Sequence, residues 1–86
     1  MASARRSALQ LEADRVADSA LVAMGRAIAE ARRRRRLTQA QLAARVGTSR
    51  STISRIEIGR GHGVPVELWV RVAVVLGLNG RWEIGR

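Results

Sequence analysis

The 86-residue sequence predicts an all-α fold: a compact bundle of four to five helices with an extra helical segment at the N-terminus. Three features predict it. Apolar residues recur three and four apart in successive segments, the period of a helix face. Ser, Thr and Pro stand just before these segments and Gly just after, the residues that helix starts and stops prefer. No segment alternates apolar and polar residues as a half-buried strand would, so helices joined by short connections remain.

The first helical segment runs from Ser7 to about Asp18, with Leu9, Ala13, Val16 and Ala17 on one narrow face. The second runs from about Ser19 to Arg35, with Leu21, Met24, Ile28 and Ala31 at helical spacing. No strong breaker separates them, and Gly25 weakens a helix only modestly, so two helices and one long helix both fit. The third is "TQAQLAARVG". Thr38 caps it, Gln41 completes a capping box, Leu42, Ala43 and Val46 face inward, and Gly47 ends it. The fourth starts at the N-cap Ser49 and stops before Gly59. The fifth opens at Pro65 and runs to Gly77, with Leu68, Trp69, Val72 and Leu76 on the core side. Val66, Val70 and Val74 form a second apolar stripe, with Glu67 and Arg71 placed to pair between them. The domain reading is an N-terminal extension over 1–19, helical or partly disordered, a helical domain over 20–78, and a tail over 79–86.

Composition narrows the function. There is no Cys, which removes disulfides and thiolate metal sites. No apolar run reaches membrane-spanning length, and the N-terminus has no signal-peptide core, so a cytoplasmic protein without a membrane partner is expected. Charge is uneven. Residues 1–20 balance, whereas residues 21–86 carry thirteen Arg against four Glu and hold the whole net charge of +9. A footprint of this kind suits a polyanion. Every basic residue is Arg, whose fork fits phosphate and guanine edges. One His, no Tyr and scattered carboxylates form no catalytic constellation, so neither an enzyme nor a cofactor is expected. His62 has no second ligand at metal spacing and reads as a loop residue near phosphate.

The stretch "GTSRSTISRIEIG", residues 47–59, is the most informative. At about 100° per residue, Ile53 and Ile56 make a narrow stripe opposite a face of Arg50, Ser51, Ser54 and Arg55. A solvated face is the ordinary reading of such a pattern. The absence of balancing acids on this face, and the helix and turn just before it, argue for a ligand that takes hydrogen bonds and charge.

"TQAQLAARVGTSRSTISRIEIG" resembles the helix-turn-helix of the Cro and phage-repressor family, the XRE type. The likeness rests on Gln39, Leu42, Ala43, Val46, Gly47, Ile53, Ile56 and Glu57, and extends over about residues 21–78. It implies a second helix that enters the DNA major groove. Carried over, Arg50, Ser51 and Arg55 read bases, while Gln39, Ser49 and Arg60 reach phosphates. Within "RRRRR", Arg32 falls at the edge of the buried face, and the resemblance pairs it with Glu57 as a structural ion pair. Arg33, Arg34 and Arg36 read as solvated or backbone-facing. Arg36 stands where the family often has Gly, so a left-handed Arg is expected there.

The expected function is sequence-specific double-stranded DNA binding by a transcriptional regulator, a repressor, acting as a homodimer on an inverted repeat. The dimer contact would come from the stripe Val66, Val70 and Val74, from residues 1–19, or with help from Trp82 in the tail. Equally, residues 1–19 or the tail could cover that stripe within one chain. The main rival is an antitoxin that binds a toxin partner and regulates itself through the same motif. A nonspecific RNA- or nucleoid-binding protein fits less well, since Trp69 and Trp82 are too few for a stacking platform.

Overall fold

The computed structural model of the protein describes residues 7–78, which form four α-helices and no strand. The tail and Trp82 lie outside the described residues. Helix α1, Ala8–Arg34, is a single helix of 27 residues that runs unbroken through Ser19 and Ala20. Its start is fixed locally by Ser7 Oγ, which accepts from the Gln10 amide at 3.1 Å, while Gln10 Oε1 accepts from the Ser7 amide at 2.9 Å. At 1.5 Å per residue it is about 40 Å long, longer than the rest of the bundle needs. Its N-terminal half, residues 8–20, is exposed all round, and only Gly25, Ile28, Ala29 and Ala31 are buried.

α1 ends in a run of arginines. Arg36 is the one described non-glycine residue at positive φ, 56°, and from there the chain turns so that the Leu37 amide reaches the Arg32 carbonyl at 3.2 Å. The left-handed conformation costs an L-residue about 1–2 kcal/mol, partly offset in any glycine replacement by glycine's extra freedom when unfolded. Arg36→Gly is therefore predicted to stabilise the fold by about 0.5–1 kcal/mol. Urea unfolding checks this, and an unchanged or lower midpoint contradicts it.

α2, Gln39–Val46, begins in a second reciprocal capping box, Thr38 with Gln41, and ends at Gly47 with φ 76°. α3, Arg50–Glu57, follows after three residues, Gly47 to Ser49, capped by Ser49 Oγ on the Thr52 amide at 3.1 Å. α4, Val66–Val75, starts after Pro65 and closes at Gly77 with φ 72°, where the Leu78 amide reaches back to the Ala73 carbonyl at 2.7 Å.

The core lies where the four helices meet: Ile28 from α1, Leu42 and Val46 from α2, Ile53 and Ile56 from α3, and Leu68, Val72 and Leu76 from α4 and its end. Trp69 is only half-buried. Its ring covers Gly61, where a side chain would collide with it, and its Nε1 donates to the Val64 carbonyl at 3.2 Å. Two helix ends are closed by arginines from elsewhere in the chain. Arg35 Nε donates to the Leu76 carbonyl at 3.1 Å, and Arg71 Nε to the Val46 carbonyl at 2.9 Å. A cation at a helix C-terminus both fills an orphan acceptor and opposes the negative end of the helix dipole. Arg71 is thus committed to α2 instead of forming the expected pair with Glu67. His62 lies in the loop before α4, as expected, and its Nε2 shares a hydrogen bond with Asp18 Oδ1 at 2.8 Å, tying that loop to α1. The stripe Val66, Val70 and Val74 is exposed, and so are residues 7–19.

Candidate nucleic-acid interface

Two helices and the tight turn between them build the site. Ala43 is small and buried, and Gly47 supplies the left-handed turn, so α3 packs directly across α2. α3 is seated by Ile53 and Ile56, both fully buried, and by the approach of α1. That approach depends on Gly25. A Cβ there would run into the Ile56 carbonyl oxygen and lie 3.1 Å from the Glu57 oxygen. The backbone of α1 therefore touches the C-terminal end of α3 with no side chain between them. Helical periodicity alone cannot reveal this, because it treats Gly25 only as a weak point.

The same end of α3 is locked by a polar network. Arg32 Nε donates to Glu57 Oε2 at 2.6 Å and Arg32 Nη2 to Glu57 Oε1 at 3.0 Å, a two-pronged pair. Arg32 Nη1 donates to the Leu37 carbonyl at 2.7 Å, which adds the α1–α2 turn to the lock. The two side chains are only 11% and 4% exposed, and no buried side-chain polar atom among the described residues lacks a partner. Burial pushes the Glu57 carboxyl up, but hydrogen bonds from Arg32 and Gln39, with the charges of Arg32 and Arg33, outweigh it and hold the group below its usual value. The hydrogen bond to Glu57 raises the Arg32 guanidinium above its already high value. Both partners stay charged across the working pH range.

Gln39 sits at the first position of α2, where the resemblance gives it a phosphate. In the structure its Nε2 donates to Glu57 Oε1 at 3.0 Å and the side chain is half-buried. It serves as the third member of the lock, a role visible only once α2 and α3 are placed side by side. Ser49 likewise has a local duty: its Oγ caps α3 and lies 3.0 Å from Thr52 Oγ1.

Arg50, Ser51 and Arg55 stand on the open face of α3, opposite the two isoleucines, and Arg60 lies just past its end. All four are exposed, and no hydrogen bond or ion pair to other described side chains occupies them. Neither α2 nor α3 has an acidic residue in its own first turn, so the open N-terminus of α3 keeps the positive end of its dipole free. The result is a firmly braced helix whose outer face offers free guanidinium and hydroxyl donors. Such a face can make bidentate contacts with base edges and phosphates.

No curated protein and no solved structure matches the chain. A family model described as a helix-turn-helix domain matches residues 23–82, a span that takes in α2, the turn, α3, α4 and the packed half of α1. The chain therefore belongs to the helix-turn-helix domain family and is a DNA-binding protein of that family.

Proposed function

We propose that this protein is a sequence-specific transcriptional regulator, a repressor in the cytoplasm, that reads the DNA major groove with α3. One observation carries the reading: α3 is sealed on one side by Ile53 and Ile56 and presents unpartnered Arg50, Ser51 and Arg55 on the other. Arg50 and Arg55 approach base edges, with guanine O6 and N7 the natural acceptors, and Ser51 adds a short-range contact. Ser49 and Arg60 flank them toward phosphate. Gln39 keeps one amide hydrogen beyond the one given to Glu57, and that hydrogen suits a phosphate oxygen. A single recognition helix spans few base pairs, so the working unit is a homodimer on an inverted repeat, with half-sites about one helical turn apart.

Selection of bound sites from a random DNA library tests the reading, followed by titration of two variants. Arg50→Ala and Arg55→Ala are each expected to weaken binding to the selected site by roughly 1–3 kcal/mol and to lower nonspecific binding far less. Both should retain the wild-type thermal melt, since both side chains are exposed and neither makes a hydrogen bond or ion pair within the fold. If both keep the wild-type preference for the selected site, α3 does not read bases through these residues.

A second reading is favoured by the exposed stripe Val66, Val70 and Val74 on α4. An apolar surface of this kind on a small domain meets a partner. In an antitoxin the partner is a toxin, and the motif serves autoregulation. Coexpression with the product of the adjacent gene separates the two: a stable complex that buries this stripe supports the antitoxin, and free DNA-bound dimer supports the regulator.

A further inference from the structure

We propose that the exposed N-terminal half of α1 is the dimer contact, and that it pairs antiparallel with the same helix of a second copy. The inference rests on the homodimer reading above and specifies its surface. Leu9, Ala13, Val16, Ala20, Ala23 and Ala27 recur alternately four and three residues apart along the unbroken helix α1. That is the heptad spacing of a coiled-coil seam, held over the length of the projecting arm. All six side chains are exposed, Leu9 by 82% and Val16 by 60%. The seam points away from the side of α1 that packs on the core through Gly25 and Ile28, by about 120° around the helix.

The seam fits its own copy in one register. With the helices antiparallel and the twofold axis beside Asp18, Leu9 faces the partner's Ala27, Ala13 the partner's Ala23, and Val16 the partner's Ala20. Each of the two larger side chains meets an alanine, so the axes can approach to the short end of the usual 8–10 Å. The flanking charges agree with the same register. Glu12 lies beside the partner's Arg26, and by symmetry Arg26 beside the partner's Glu12, with Ser19 meeting the partner's Ser19 between them. Within its own helix Glu12 takes a hydrogen bond from Arg15 on Oε1, which leaves Oε2 for this contact. A parallel pair would set Glu12 against the partner's Ala17 and Arg26 against the partner's Ala31, with no charge pair at all.

The arrangement also places the reading helices. A twofold axis perpendicular to the plane of two antiparallel helices keeps each element on the same side of that plane in both copies. The packed part of α1 centres about ten residues beyond the axis, so the two bodies sit about 30 Å apart along α1. Half-sites one turn apart on DNA are separated by about 34–36 Å. The α4 stripe is the competing surface, but α4 is less than half as long, and its flanking cation Arg71 is already held by the Val46 carbonyl.

Charge reversal and cysteine trapping on the full chain test the proposal. Sedimentation of Glu12→Arg should show the mass fall from two chains to one, and the double variant Glu12→Arg, Arg26→Glu should restore two. Circular dichroism should show the helices intact in both. Because the chain has no cysteine, Leu9→Cys and Ala27→Cys proteins can be mixed and oxidised. The expected result is a disulfide between the two different variants and none when either is oxidised alone. Self-linking of Leu9→Cys would establish a parallel pair and overturn the proposal. So would a dimer that survives Glu12→Arg but dissociates in Val70→Glu, which would put the contact on α4. A chain that is monomeric throughout, and occupies its DNA singly, refutes both this contact and the dimer reading. Binding to DNA is measured separately, so base reading by α3 stands or falls on its own.

Discussion

Glu57→Ala is expected to cost the fold about 3–5 kcal/mol, the range for removing one partner of a buried charge pair. The carboxylate is 4% exposed and takes three hydrogen bonds, two from Arg32 and one from Gln39. Its removal leaves a guanidinium nearly enclosed with no counter-charge, and frees the C-terminal end of α3 from α1 and α2. An exposed pair would contribute an order less. For a domain of this size each kcal/mol lowers Tm by about 4–8 °C, so a melt at neutral pH reads the effect directly. A melt equal to wild type would show that the pair is not a stabilising element. The same group sets an acid limit. Its folded-state pKa lies below the unfolded value of about 4.3, so the stability it supplies is complete above that value. That stability is lost as pH falls through the folded pKa. Glu57→Gln, which keeps an acceptor for Arg32 but no charge, should start less stable at neutral pH and lose less than wild type between pH 5 and strong acid. Arg32 stays protonated throughout and adds no slope.

Gly25→Ala is expected to destabilise the protein by about 2–3 kcal/mol, against the sign of helix propensity. In an isolated helix the change would help by about 1 kcal/mol. In the fold, the new methyl group would meet the Ile56 carbonyl, and a backbone atom at a helix end cannot swing aside as a side chain can. α1 must then retreat from α3, which stretches the Arg32–Glu57 lock as well. Urea unfolding of the protein, beside circular dichroism of a peptide covering α1, separates the two effects. The peptide should gain helicity while the protein loses stability. A more stable protein would mean that the approach of α1 to α3 is looser than the structure has it.

The unequal reach of sequence reasoning has a physical pattern. Capping at Thr38 with Gln41, the stop at Gly47 and the start at Ser49 all depend on atoms within a turn of chain, so residue type and spacing settle them, whereas the left-handed Arg36 is expected only from the family resemblance. The inward residues of α2 and α3 follow from the same short period. The extent of α1 did not: Ser19 permits either a new cap or a continuing helix, and the choice depends on the summed stability of a 27-residue span. Reading two helices there also divides the heptad seam from Leu9 to Ala27 and hides it.

From its sequence alone this protein is determined to be a helical, arginine-rich chain whose fourth predicted segment buries two isoleucines and shows arginine and serine. The tertiary structure decided which distant groups meet. It drew Gln39 onto Glu57, sent Arg71 to the Val46 carbonyl instead of Glu67, brought His62 to Asp18, and made Gly25 the contact point of two backbones. Local structure is written in neighbours along the chain, each with a preferred dihedral or a partner three or four residues away. Contacts between helices depend on crossing angles and on how closely two axes approach. Those are set by the packing of the whole core, which also decides which surface groups meet, as His62 meets Asp18 from 44 positions away.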